Sequence, residues 1–380
     1  MKFRNIALCA LCALCALSAV ACKKEAPSGE ASKGAASVSG DKVKSVGRAH
    51  LPSGCEVVVS LDWPRFRELE PVKGNIDREL TKFEAPPVAN APIDPEVAAD
   101  MKNAKEFLEK THIDLRRDPG ELALCAWKIA EAQGDKPPSF VLVLGGQFIP
   151  GAALEVFDSF SERFKTLLSR AKPGSEKKPA PEIIEVAGVK VAYDKAEGIY
   201  MGQAKDGAFV IANDRPAFEK SLTASEAHLA YKLPNEPIAL ALTQAAAPLV
   251  TAQLAQSPLA PAAGAFAGAN LAYTEGLIKL QLDLTNPAVM PALVTNLDMF
   301  IKPNPSMPPN PLSQLLAGAK MTTAGSTLSL EVVLPEETTR GLLQQAGMGA
   351  PQPRPLYGGP AGMPPGTQLP PGAGAPPATK

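Results

Sequence analysis

Between residues 51 and 346 the chain alternates short apolar runs with polar breaks that carry proline or glycine. Two periods recur. Strict apolar–polar alternation predicts half-buried strands, and apolar residues every three or four positions predict helices. Leu51-Pro52-Ser53-Gly54 is a turn signal, and the β-branched run over 55–61 after it predicts a strand. Asp62 and Pro64 then suit a helix N-terminus, since Asp accepts from orphan amides and Pro fits the first turn. Phe66 and Leu69 would share one face of that helix. A second helix is predicted over 94–111, with Val97, Met101, Ala104, Phe107 and Leu108 as its stripe. Residues 115–120 read as a turn, 123–130 alternate around Cys125 and Trp127, and 140–145 form the clearest strand. Gly145-Gly146 reads as a tight turn into a helix over 151–168, which carries Leu154, Phe157, Phe160, Phe164 and Leu167.

Residues 182–215 return to the strand period. Ile184, Val186, Val189, Val191 and Tyr193 predict a hairpin around Gly188, and 199–203 and 208–212 predict two more strands joined at Asp206-Gly207. A helix over 215–222 closes this part. The second half repeats the plan. Leu233-Pro234-Asn235-Glu236 matches the earlier punctuation, and a strand over 238–242 and an alanine-rich helix follow it. The alternating run 277–284 feeds a helix begun by Asn286-Pro287. Strands over 320–323 and 327–334 and a short helix over 336–345 complete it. The expected class is α+β: antiparallel sheets covered by helices, in two degenerate repeats of one lobe over 51–225 and 230–346.

The ends differ from this body. Lys2 and Arg4 precede an apolar stretch from Ile6 to Ala21, which reads as a secretory signal over 1–21. Residues 22–50 carry hardly any large apolar side chain and read as a flexible tether behind Cys22. Between 351 and 380 there are ten prolines and six glycines, too many for a helix or sheet, so 347–380 reads as a disordered tail.

Ala19-Val20-Ala21-Cys22 resembles the lipobox of bacterial lipoproteins. The resemblance implies removal of 1–21, a diacylglyceryl group on the Cys22 thiol and an acyl chain such as palmitate on the new N-terminus. It also implies delivery to the outer membrane, since Lys23 rather than aspartate follows Cys22. The body over 51–346 is loosely similar to uncharacterised envelope lipoproteins of Gram-negative bacteria, a resemblance that brings no activity with it. Cys9, Cys12 and Cys15 have a metal-like spacing, but they lie within the signal and have no partner ligands. That leaves Cys55 and Cys125 for an oxidising compartment. A disulfide between them is the economical reading, and two separately buried thiols are the alternative.

Charge and composition then narrow the function. The 380 residues carry 38 basic and 39 acidic side chains, so nucleic acid is not an expected partner. From Ile238 to Thr274 no side chain is charged; this stretch is either a buried helix and loop or the wall of an apolar groove. The chain has three histidines: His50 at the tether's end, His112 at a helix end and His228 in a linker, none with a neighbour at ligand spacing. No metal and no cofactor is expected, and no nucleophile motif is present. Asp62 and Asp283 would end strands on the same side if the halves repeat, leaving a paired-acid site as a remote option. Asp114, Arg116, Arg117, Asp118 and Glu121 read as a solvated turn. The expected function is a lipid-anchored envelope protein of non-enzymatic binding or scaffolding type, whose partners are the membrane and an envelope protein or apolar ligand. An envelope hydrolase with a dispersed site and a lipid carrier are the alternatives.

Overall fold

The computed structural model describes residues 42–338 except 70–71, 85–104, 106–107, 110, 133–136, 152–181, 196, 256–258, 302–317 and 336. The signal, Cys22, the segment up to 41, the tail over 347–380 and the helices expected over 94–111, 151–168 and 336–345 lie wholly or largely outside the described residues. All described residues belong to the unit Met1–Gly349.

The strands are β1 (Val43–Lys44), β2 (Val57–Asp62), β3 (Pro119–Trp127), β4 (Ser139–Phe148), β5 (Glu182–Val186), β6 (Val189–Asp194), β7 (Ile199–Gln203), β8 (Phe209–Ala212), β9 (Ile238–Leu242), β10 (Phe266–Thr274), β11 (Leu277–Leu284), β12 (Lys320–Ala324) and β13 (Thr327–Val333). They form one sheet in the order β12-β13-β11-β10-β9-β2-β3-β4-β8-β7-β6-β5, with β1 paired to β4. Every pairing is antiparallel. The fold is therefore α+β, mostly antiparallel sheet with some helices.

Helices follow the strands through one recurring junction. Asp62 ends β2, and its Oδ1 accepts from Arg65 N at 3.1 Å, capping α1 (Trp63–Glu68) with Pro64 in its first turn. Asp214 caps α3 (Arg215–Ser221) in the same way after β8, with Pro216 in the first turn. Asn286 and Pro287 repeat the arrangement after β11, ahead of α6 (Met290–Ile301). In each case the carboxylate or amide occupies an orphan helix amide, and proline fits where no backbone donor is required. Among the described residues the other α-helices are α2 (Lys73–Glu84), α4 (Ala247–Leu254) and α5 (Ala260–Ala263).

The pleat sends alternate residues to opposite faces. On one face, Leu61, Leu122, Ile238 and Tyr273 pack against Phe66, Leu69 and Val72 of the α1–α2 region. On the same face Leu282, Leu284 and Leu328 pack under Met290 and Leu293 of α6. The other face carries Val58, Ala123, Cys125, Val141, Val143, Val210 and Ala241, covered by Phe218 of α3 and by Leu51, Leu222 and Tyr231. That cover lies over β2–β8. Over the opposite half the same face is polar: Lys279, Glu331 and Lys320 stand in one cross-strand row, and Gln281, Ser329 and Thr322 in the next. Lys279, Gln281, Lys320 and Thr322 are exposed there.

Several expectations need correction. Gly145 and Gly146 do not turn into a helix: they lie inside β4, which runs on to Phe148. β3 begins at Pro119, within the expected turn. The charge-free stretch is no buried helix between layers. It supplies β9 and β10, with Ala239, Ala241 and Ala272 buried, while α4 has no buried residue. The body also starts before residue 51, because residues 42–50 are docked on it.

Candidate functional site

Among the described residues, a densely bonded polar region is the channel that holds residues 42–50. This arm enters as β1, paired with the end of β4 through Val43↔Phe148 and Lys44↔Gln147. Ser45 N–H donates to Gly146 O at 2.7 Å, and Ser45 Oγ accepts from Gly146 N at 3.1 Å. A short 3-10 turn, Gly47–His50, then crosses the sheet. The approach is so close that a Cβ on Gly145 would overlap the backbone at Gly47, and one on Gly146 would overlap the Asp118 carbonyl. The glycine pair is thus a contact surface for backbone.

Three arm side chains meet three body carboxylates. Lys42 Nζ lies 2.5 Å from Asp118 Oδ2, Arg48 Nε 2.6 Å from Glu121 Oε1, and His50 Nε2 2.9 Å from Asp206 Oδ2. Glu121 is buried, and its carboxylate is fully used: Oε2 accepts from Arg48 N at 2.9 Å and Oε1 from Ser60 Oγ at 2.5 Å. Asp118 is also buried, and its Oδ2 accepts from Asp114 N at 2.5 Å. The cluster Asp114–Glu121, expected to be a solvated turn, therefore anchors the arm through two of its acids. Ser60 and Glu121 sit on neighbouring antiparallel strands on the face beneath the arm, which is why they converge.

His50 is wholly buried. Its Nδ1 lies 2.8 Å from Ser221 O; a carbonyl only accepts, so Nδ1 donates. Nε2 faces Asp206, 2.9 Å from its Oδ2. Ser221, His50 and Asp206 bring together the groups of a nucleophilic triad, but the wiring differs. The imidazole bonds the Ser221 carbonyl rather than its hydroxyl, and Ser221 has no exposed surface. The trio works as a lock between the arm, the end of α3 and the β7–β8 turn.

The other sequence candidates are scattered. Cys55 and Cys125 form a disulfide, with Cα atoms 5.4 Å apart, just ahead of β2 and within β3. Next to it the Tyr231 hydroxyl donates to Pro52 O and accepts from Cys55 N at 3.4 Å. Burial pushes the Tyr231 phenol above its ordinary value, while the Cys55 amide pulls it down. His112 sits at a positive φ of 53°, closing a helix end where Ile113 N–H reaches Leu108 O and His112 N–H reaches Glu109 O. His228 is half-buried, with Nδ1 2.8 Å from Ser225 O. Asp62 and Asp283 stand at opposite ends of the sheet. The pairings Leu61↔Ile238↔Tyr273↔Ile278 put the end of β2 beside the start of β11, whereas Asp283 lies at the far end of β11. No paired-acid site exists between them. Asp283 accepts from Thr327 Oγ1 at 2.7 Å instead. Among the described residues, no group of three His, Cys, Asp or Glu is placed to hold a metal.

No protein-family model matches the chain, and no curated protein does. Solved structures do. Crystal form III of TP0453 is 11% identical with a TM-score of 0.38, and the match covers 79% of this chain and 98% of that one. Crystal form I of TP0453 is 12% identical with a TM-score of 0.33, covering 80% of this chain and 98% of that one.

Proposed function

We propose that this chain is a membrane-anchored envelope lipoprotein of non-enzymatic binding or scaffolding type, held through a lipid on Cys22. The observation that carries the proposal is the Cys55–Cys125 disulfide, buried in the middle of the sheet. Such a bond belongs to an oxidising compartment, which is where the signal-like stretch over 1–21 would deliver the chain. Residues 23–41 then connect the anchor to an arm already fixed on the body. The polar face over β11, β13 and β12 is the broad surface offered to an envelope partner. The outer membrane is the proposed address, on the strength of Lys23 after Cys22.

Mass spectrometry of the mature N-terminal peptide tests this directly. The expected peptide begins at Cys22 and carries a diacylglyceryl group and an amide-linked acyl chain. A peptide with an unmodified Cys22 overturns the proposal.

A duplication is part of the same reading. Outward from the β2–β9 junction the strands read β2-β3-β4-β8-β7 on one side and β9-β10-β11-β13-β12 on the other. Asp62 after β2 and Thr243 after β9 each cap the helical turn that follows. Both observations support two repeats of one lobe. Superposing β9–β11 on β2–β4 is the check; if Thr243 falls a residue or more away from Asp62, the repeat reading fails.

A further inference from the structure

We infer that residues 42–50 are a strap that detaches from the body as a unit, ahead of the sheet, and in doing so uncovers an acidic channel. The argument begins with what does and does not hold the strap. Val43 and Val46, its two large aliphatic side chains, are 39% and 47% exposed and face away from the core. β1 contributes only two paired residues. Among the described residues the first large apolar anchor is Leu51, 1% exposed, which marks the hinge. Hydrophobic burial, the main force holding the rest of the molecule together, is thus nearly absent from 42–49. Polar contacts do the holding: Lys42–Asp118, Arg48–Glu121–Ser60, Ser45–Gly146 and His50–Asp206.

Segments secured in this way open at lower free energy than the sheets they lie on. The sequence of the strap fits a ligand-like role. Residues 42–50 contain Lys42, Lys44, Arg48 and His50 and no acid. The surface beneath offers Asp118, Glu121 and Asp206. Once the strap leaves, Glu121 and Ser60 keep each other, and the carboxylate exchanges the Arg48 guanidinium and amide for water. The strap is the resident occupant of this surface, and its Lys42 and Arg48 match Asp118 and Glu121 when it returns. The nine freed residues would also lengthen the link to the membrane by about 30 Å at roughly 3.3 Å each. That lengthening rests on the anchored reading of the chain; the detachment does not.

Native-state hydrogen exchange on the full chain tests the strap, and its outcome is independent of what is found on Cys22. The amides of Ser45, Arg48 and Leu51 are expected to exchange at least tenfold faster than those of β2 and β3. Glu121→Gln should raise strap exchange a further tenfold or so and leave β2–β3 unchanged. Lys42→Gln alters a partly exposed side chain of the strap and no side chain of the body; it should raise strap exchange several-fold. A disulfide staple across β1 and β4, Lys44→Cys with Gln147→Cys, should bring strap exchange back towards the sheet's rate. The inference is overturned if strap and sheet amides share one rate in the unaltered chain, or if neither Lys42→Gln nor Glu121→Gln speeds the strap.

Discussion

At the scale of single residues, the chain concentrates its buried polarity where distant segments must be fixed to one another. Ser60, unread from the sequence, was the half of the Glu121 network that a local signal could have found. In the apolar run of β2 it shares a face with Val58, and a hydroxyl at an inward position calls for a partner. The partner itself lay 61 positions away, and no local pattern links the two. Tyr231 is a second case. Its hydroxyl ties the 3-10 turn Glu226–Tyr231 to the Pro52 carbonyl beside the disulfide. Because burial raises its ionisation above the ordinary value of about 10, folding favours the neutral phenol. Its contribution is complete below pH 10 or so and is lost as pH rises through the higher folded-state value. Tyr231→Phe should therefore cost about 1 kcal/mol near neutral pH, the net worth of the lost hydrogen bond. It should also flatten the alkaline decline in unfolding free energy, measured by urea denaturation from pH 8 to 11. An unchanged alkaline slope would mean that the phenol does not titrate with unfolding.

At the scale of elements, the junctions between strand and helix were readable from sequence. Asp62 with Pro64 and Asn286 with Pro287 mark real caps, since capping chemistry is local. The glycine pair in β4 was misread for a physical reason. Glycine after an apolar run signals a turn equally well as a close backbone approach, and the approaching strap comes from a hundred residues earlier. A methyl at Gly146 has nowhere to go between the Asp118 carbonyl and the Phe148 ring. Gly146→Ala is expected to destabilise the protein by about 1–3 kcal/mol, the usual cost of overpacking, as a lower midpoint in urea with an unchanged slope. Gly54→Ala, in open space but at a φ of 88°, tests backbone strain without overpacking.

For the whole molecule, the alternating runs and their helical partners gave the α+β class, but the single sheet was hidden. Nothing in the letters of β2 and β9 says that they are neighbours, because both are short, apolar and alternately buried, and many partners would satisfy them. The disulfide was legible by elimination among the cysteines, and it supports the molecule across a separation of 70 residues. Replacing Cys55 and Cys125 together by Ala should lower the unfolding free energy by about 2–5 kcal/mol. In the intact protein both sulfurs are shielded, so thiol reductants should act only at the rate of global unfolding; rapid reduction of the native state would contradict this burial. The central position of β2 also has a consequence for the order of events during synthesis. Its neighbour β9 begins at Ile238, long after Val57–Asp62 has been made. For that interval β2 presents an open row of amides and carbonyls to anything extended that passes. Closure of the sheet must wait on a contact of very long range, the kind that slows folding and lengthens exposure to aggregation.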